Sequence, residues 1–284
     1  MFDSDWLFPE SAVAVRQGDI LMRREPSSGA VLESCLVITA DCDISKSKFG
    51  NRLACLRIDL LHDYVRTDWA RGKFNKLLAV DTERVKSQLA KWHTLKLGRA
   101  SNLTAKGAED WIRRESTESI CDSLEVPMDD RKKLTTSIDT YRAALIASDA
   151  CANADFLTRL VTFKATSARK AIDACLKETL TQAQNESLPD DVFLLPSIPH
   201  VDKGAALVKL RELIAVDFDL IKYRATEADA SEHYLRTGRL QPTLKYSISQ
   251  KFGALYSKIG LSSEFEDRHR KAIESVSEIA LENL

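Results

Sequence analysis

Between Asp68 and Glu186 glycine and proline almost vanish, and apolar residues recur every three or four positions, as in Ile138, Tyr141 and Leu145, then Phe156, Leu160 and Phe163. That period belongs to the α-helix. A helical block this long, with strand-like sequence on both sides, admits few architectures. Pro127 followed by Met128-Asp-Asp130 opens one helix, since proline suits a first helical turn and early acids complement the helix dipole. Ser148 to Asn153 marks a break before the next.

The flanks have a different punctuation. Ala12 to Val15, Asp19 to Met22, Ala30 to Thr39 and Leu53 to Leu61 are short apolar runs separated by Gly18, the Pro26-Ser-Ser-Gly29 turn and Gly50-Asn51, so four strands are expected. After Leu188-Pro189, the runs 192–196, 205–210 and 213–218 have strand character again. A sheet this small needs closure or a covering layer. After Thr226 the pattern predicts helix to the end, with Leu244, Ile248, Phe252, Leu255, Tyr256 and Ile259 forming a stripe after Pro242. Gly260 suits a helix C-cap, and a last helix starts at Ser262.

Lys and Arg number 41 against 42 Asp and Glu, for a net charge of -1, which excludes a globally basic, nucleic-acid-coating protein but not a local patch. The six cysteines show no C-x-x-C or C-x-x-H spacing, so they read as reduced, mostly buried thiols. Acids interrupt the first apolar residues and no run of about 18 apolar residues occurs, so the expectation is a cytoplasmic protein with no membrane partner. No glycine-rich phosphate loop is present, and Gly98-Arg99 and Gly204 form none. No cofactor is expected.

The order Gln17-Gly-Asp-Ile-Leu21, a turn at Pro26 and Gly29, then Ser34-Cys-Leu-Val-Ile-Thr39 resembles the opening of the PemK/MazF family of small SH3-like barrels. The chain also resembles a group of prokaryotic proteins with a Val-Ile-Thr-x-Asp-Cys-Asp-Ile segment and a late Arg-Leu-x-Pro helix ending in Ile-Gly, here Arg239-Leu-Gln-Pro242 and Ile259-Gly260. The resemblance implies an SH3-like barrel and the setting of a multi-gene anti-phage or mobile-element locus. PemK/MazF toxins cleave RNA without metal, using an Arg-Pro pair before the second strand. Glu33-Ser-Cys35 stands there instead, and a carboxylate at that point repels phosphate.

Asp41-Cys42-Asp43 ends an apolar run, and three readings stand open. As a nucleophile Cys42 is ill placed, because flanking carboxylates raise a thiol pKa. As a metal corner, Asp41, Cys42 and Asp43 would need a turn to converge, with Asp59, His62 or Asp63 completing the set. As structure, Cys42 enters the core while the aspartates terminate the strand.

From Glu83 to Glu109 no acid intervenes, while Arg84, Lys86, Lys91, Lys96, Arg99 and Lys106 are interleaved with Trp92 and His93. Cations can neutralise phosphates and an indole can stack on a base, so this is the candidate nucleic-acid surface; the alternative is a solvated helix face with an anchored Trp. Arg236, Arg239, Lys245, Lys251 and Lys258 accompany the late helix as docking or snorkelling cations. His200, His233 and His269 stand apart and read as structural or surface residues.

The expected fold is α+β: a small SH3-like, PemK-like barrel or bent sheet built from residues 8–66 and 188–224, split by a helical insertion over 67–187 and followed by C-terminal helices over 225–284. The expected function is a non-enzymatic adaptor or regulatory subunit of a prokaryotic anti-phage system, binding a protein subunit of that system and possibly DNA or RNA. The alternative is a degenerate or re-purposed toxin or metal-dependent nuclease with Asp41, Asp43 and Asp59 at a divalent ion.

Overall fold

Local capping chemistry sets where the helices begin and end. In the computed structural model, which describes residues 5–201, 204–257, 264, 267, 268 and 270, the helical block consists of α2 (Leu61–Tyr64), α3 (Ala70–Leu97), α4 (Ala105–Arg114), α5 (Thr117–Ser123), α6 (Met128–Ala150), α7 (Phe156–Ala168) and α8 (Ile172–Asn185). A π-helical turn at Val65–Trp69 leads into α3. Gly98 ends α3 in the left-handed conformation at φ 63°, which glycine adopts without a Cβ penalty. The side chains of Thr104, Ser116 and Asp155 accept the first free N–H groups of α4, α5 and α7. Pro127 caps α6, with Asp129 and Asp130 in the first turn, as the sequence suggests.

The chain divides into two units: Met1–Ile58 with Asp190–Lys203 and Val208–Leu284, and Asp59–Pro189 with Gly204–Leu207. In the helical unit, Phe74, Val85, Leu89, Ile112, Ile138, Tyr141, Leu160 and Phe163 share one core. Phe74 meets Phe163 edge-on at 5.9 Å between centroids, and the buried Tyr141 hydroxyl is hydrogen-bonded to Thr82 Oγ1 at 2.5 Å. Trp69 Nε1 and Lys73 Nζ donate to the two oxygens of Glu186 at 2.8 and 2.5 Å, tying the start of the block to its end.

The sheet unit is built on β1 (Trp6–Leu7), β2 (Asp19–Arg24), β3 (Val31–Val37), β4 (Arg52–Leu60), β5 (Val192–Leu195), β6 (Ala206–Asp217), β7 (Ile221–Lys222) and β8 (Tyr234–Leu240), with α1 (Asp41–Ser45) and α9 (Pro242–Ser257). Strands from before and after the helical block join one open sheet in the order β1-β8-β2-β3-β4-β6-β5. The pairs β1–β8, β8–β2, β2–β3 and β3–β4 are antiparallel, and short β7 adds parallel to β8. Ile20, Leu21 and Met22 in β2, and Cys35, Leu36 and Val37 in β3, are buried in succession, so both faces of the central strands are covered. Leu21, Cys35, Val37, Leu53 and Cys55 form the core on one face, with Phe49, Ile214 and Phe218 around it. No helix among the described residues is long and apolar enough to cross a membrane.

Three expectations are corrected. Ala12–Val15 is a loop, because the nearby carbonyls of Val13 and Ala14 accept hydrogen bonds from arginine side chains in place of a strand ladder. The segment after Thr226 is not continuously helical: Tyr234–Leu240 is a strand in the middle of the sheet, paired with β1, β2 and β7. The runs 205–210 and 213–218 are not two strands but lie in the single strand β6. In α9, Ile248 is fully buried while Tyr256 is half exposed, so only part of the predicted stripe is core. Lys258, Ile259, Gly260, Ser262 and His269 lie outside the described residues.

Replacing Phe163 by alanine removes a fully buried ring from the helical core; urea denaturation is expected to show a loss of about 3–5 kcal/mol.

Candidate functional site

Three segments singled out in the sequence converge in the sheet unit. Gly18 N–H donates to Val37 O at 2.8 Å, and Leu240 N–H donates to Gly18 O at 2.9 Å. A Cβ on Gly18 would lie 2.9 Å from Lys245 Cδ, and its φ of +91° also demands glycine. Across this junction the Asp41 carboxylate is fully engaged: Oδ1 accepts the Gln17 N–H at 2.9 Å and Oδ2 accepts Lys245 Nζ at 3.0 Å. Gln17 Nε2 adds a bond to Ser249 Oγ at 3.1 Å. Burial pushes the Asp41 carboxyl upward, but the Lys245 ammonium, the Gln17 N–H and the charge of Arg16 outweigh it and hold the group below the ordinary carboxylate range.

Asp41, Cys42 and Asp43 do not end a strand; they are the first residues of α1. Successive helical residues point about 100° apart, so Asp41 turns to Lys245 while Cys42 faces solvent. The expectation that Cys42 enters the core is therefore overturned: it is exposed, its thiol 3.8 Å from Asp43 Oδ1. Of the other cysteines, Cys35, Cys55, Cys121 and Cys175 are buried, Cys151 is half-buried, and all six are free thiols. Asp59 is the penultimate residue of β4 and belongs to the helical unit, unlike Asp41 and Asp43. His62 and Asp63 pair with each other at 3.2 Å on an exposed surface. Among the described residues, no group of three or more His, Cys, Asp or Glu side chains is arranged to hold a metal ion.

The residue that sequence reasoning missed is Asp19, whose side chain is wholly buried. It accepts from Arg239 Nε at 2.5 Å and Nη2 at 2.9 Å, a bidentate pair, and from the Arg16 N–H at 2.9 Å. Arg236, buried at 2%, lies 3.9 Å away, donates to the carbonyls of Val13, Pro9 and Glu10 and stacks 4.8 Å from the Tyr223 ring. An odd spacing on a regular strand would send Arg236 and Arg239 to opposite faces. Here Ile20 pairs with Gly238 but Leu21 with Arg236, so Thr237 is an extra residue and the bulge brings both guanidiniums to Asp19. The signal was present as Gly-Asp-Ile and Arg-Leu-x-Pro, but the two read as separate motifs. Neither arginine belongs to the late helix, and Lys251 of α9 turns inward to Val192 O at 2.8 Å.

The seven candidate nucleic-acid residues differ in what they pair with. Arg84 pairs with Asp81 at 3.2 Å, Lys86 with Glu83 at 3.0 Å, and Lys96 with Glu125 at 3.0 Å. Acids one helical turn earlier, or in the α5–α6 connection, thus neutralise cations that looked unopposed along the chain. Lys106 lines a groove with Glu83, Glu109 and Asp110. Arg99 follows the Gly98 cap in an exposed loop that His93 holds through a 3.0 Å bond to Ser101 Oγ. Lys91 and Trp92 stay together: Lys91 Nζ lies 5.2 Å from the indole centroid, and Trp92 packs on the helical core.

These two residues and Gln88 form one side of a cleft of about 130 Å³, with Asp130, Lys133 and Leu134 of α6 on the other. Gln88 Oε1 is buried without a hydrogen-bond partner among the described residues, an arrangement that costs roughly 1–3 kcal/mol. Among the described residues, Lys91 and Lys133 have no acidic partner. Elsewhere His233 pairs with Asp229 at 3.1 Å, and His200 is an exposed residue at φ 61°.

Comparison with protein-family models, with curated proteins and with solved structures finds no match to this chain.

Asp19→Ala leaves the buried Arg236 and the half-buried Arg239 without their carboxylate, and equilibrium unfolding is expected to show a loss of about 3–5 kcal/mol. Asp41 has a lowered pKa in the fold, so its stabilisation is complete above the unfolded value of about 4 and is lost as pH falls through the folded value. Melting temperatures of wild type and Asp41→Asn should therefore differ most near about pH 6 and converge towards about pH 2; the pair is partly exposed, and screening limits the difference to about 1 kcal/mol or less.

Proposed function

We propose that this chain is a non-enzymatic adaptor or regulatory subunit of a multi-protein prokaryotic system, of the anti-phage kind, and that it contacts single-stranded nucleic acid through its helical unit as well as a protein partner. The observation that carries this reading is the division of charge. In the sheet unit, the ionic groups that a hydrolytic site would use are committed to one another: Asp41 to Lys245 and Gln17, Asp19 to Arg239, with Arg236 beside them. In the helical unit, Lys91, Arg99 and Lys133 lack acidic partners among the described residues, and Lys91 accompanies a half-exposed indole. Free cations beside an aromatic plane are the chemistry of single-strand binding, where ammonium groups replace condensed counterions and a base stacks on the ring.

The resemblance of residues 17–44 and 239–242 to PemK/MazF-like and defence-locus proteins supports the biological setting. On this reading, the sheet unit descends from a PemK/MazF-like barrel in which Glu33 has replaced the phosphate-binding arginine. Tyr234 donates its hydroxyl to Glu33, and Arg23 lies 3.6 Å from the same carboxylate, so that corner too is closed on itself.

Fluorescence anisotropy with a labelled single-stranded oligonucleotide tests the reading. Wild type should bind, with affinity falling as salt rises. The double substitution Lys91→Glu, Arg99→Glu should weaken binding at least tenfold and reduce the salt slope by about 1.4, the value for two phosphate contacts on a single strand. Asp41→Asn should leave binding unchanged. Cleavage of the strand with Mg²⁺ or Mn²⁺ that Asp41→Ala abolishes would overturn the non-enzymatic assignment.

A further inference from the structure

The cleft between α3 and α6 has a wall that phosphate binding does not explain. Lys91 and Lys133 suit an anionic backbone, and Trp92 suits any base. Asp130 and Gln88 do neither: a carboxylate repels phosphate, and Gln88 Oε1 is a buried acceptor without a partner among the described residues. Buried polar atoms without partners are uncommon in folded proteins. Asp130 has no cationic partner among the described residues, so its acceptor capacity is also open.

We propose that this cleft receives a single nucleobase from the bound strand and selects guanine. The inference rests on the nucleic-acid reading above and specifies which base it recognises. The volume of about 130 Å³ is many times the roughly 10–15 Å³ that one water needs on the same measure, which leaves room for one planar ring system. Trp92 supplies the stacking plane, and Leu134 is the apolar residue of the opposite wall. The lysines sit at the exposed rim, where the phosphates flanking an inserted base would pass.

Acceptors in the wall call for donors on the base. Guanine presents two adjacent donors on its Watson–Crick edge, the ring N1–H and the exocyclic amine, which match a carboxylate two oxygens wide. Cytosine and adenine present one exocyclic amine beside a ring acceptor, and uracil one N–H between two carbonyls that would face the acceptors unfavourably. Asp130 therefore takes the paired donors, and the Gln88 amide turns its oxygen to the remaining amine hydrogen.

The test is anisotropy with a uridine oligonucleotide carrying one central guanosine, inosine, adenosine or cytidine, and with the matching DNA strands. Guanosine should bind about 5- to 150-fold more tightly than the all-uridine strand, the range of a good bidentate base contact. Inosine, which lacks the exocyclic amine, should lose most of that gain. Asp130→Asn and Gln88→Leu should remove the preference, so that the guanosine and all-uridine strands bind each variant alike; Lys133→Ala should weaken all strands alike. The RNA and DNA arms identify which backbone carries the base. Binding without base preference would overturn this inference and leave the nucleic-acid reading standing, as would a guanine preference that Asp130→Asn and Gln88→Leu do not alter. Absence of binding to every strand would overturn both.

Discussion

A carboxylate without water must find its partners inside the protein, and the sheet unit is organised around one such group. Asp19 draws Arg239 and Arg236 from β8, the N–H of Arg16 from the preceding loop and, through Arg236, the carbonyls of Pro9, Glu10 and Val13. Burial outweighs these partners and raises the Asp19 pKa, so the ionised group is held there at a cost that its cations only partly offset. Removing one partner strands the others, which makes the cluster a specific fastening between distant segments of the chain. The bulge at Thr237 and the close approach at Gly238, where a Cβ would lie 2.7 Å from Pro199 Cγ, follow from bringing both guanidiniums to one point.

The Asp41–Lys245 pair extends the same logic to the surface. Gln17, Gly18 and Asp19 are adjacent in sequence and reach three different elements: Gln17 meets Asp41 and Ser249, Gly18 admits Lys245, and Asp19 takes Arg239. One tripeptide thereby joins β2, α1, β8 and α9. Chemistry on these carboxylates would compete with the fold for the same lone pairs, which is why the functional assignment moves to the helical unit.

Much of this was legible in the sequence where the signal was long and periodic. The helical block, the start of α6 at Met128 and the turn at Pro26 and Gly29 follow from spacing and punctuation alone. β8 was not legible, because Arg236, Gly238 and Arg239 read as a polar segment and only tertiary structure shows that both guanidiniums turn to the buried Asp19. Ala12–Val15 looked like a strand by composition, yet arginines take the carbonyls that a ladder would need. Cys42 was misplaced because the run ending at Thr39 gave no sign that Asp41 opens a helix. A third of the candidate cleft was visible in Lys91 and Trp92; Gln88, Asp130, Lys133 and Leu134 lack any linear pattern that connects them. Arg84, Lys86 and Lys96 looked unopposed along the chain, and only the fold shows Asp81, Glu83 and Glu125 beside them.

The central claim is that these buried and half-buried charges act as fastenings and not as a reaction centre. A double-mutant cycle on Asp19 and Arg239, with each residue replaced singly and together and stability read by denaturant unfolding, tests it most directly. The account predicts strong coupling, at the upper end of the roughly 0.5–3 kcal/mol seen for residues in one network, with the double variant more stable than the sum of the single losses implies. Additive losses would contradict it, because they would mean that Asp19 and Arg239 do not hold each other and that the carboxylate is free for another role.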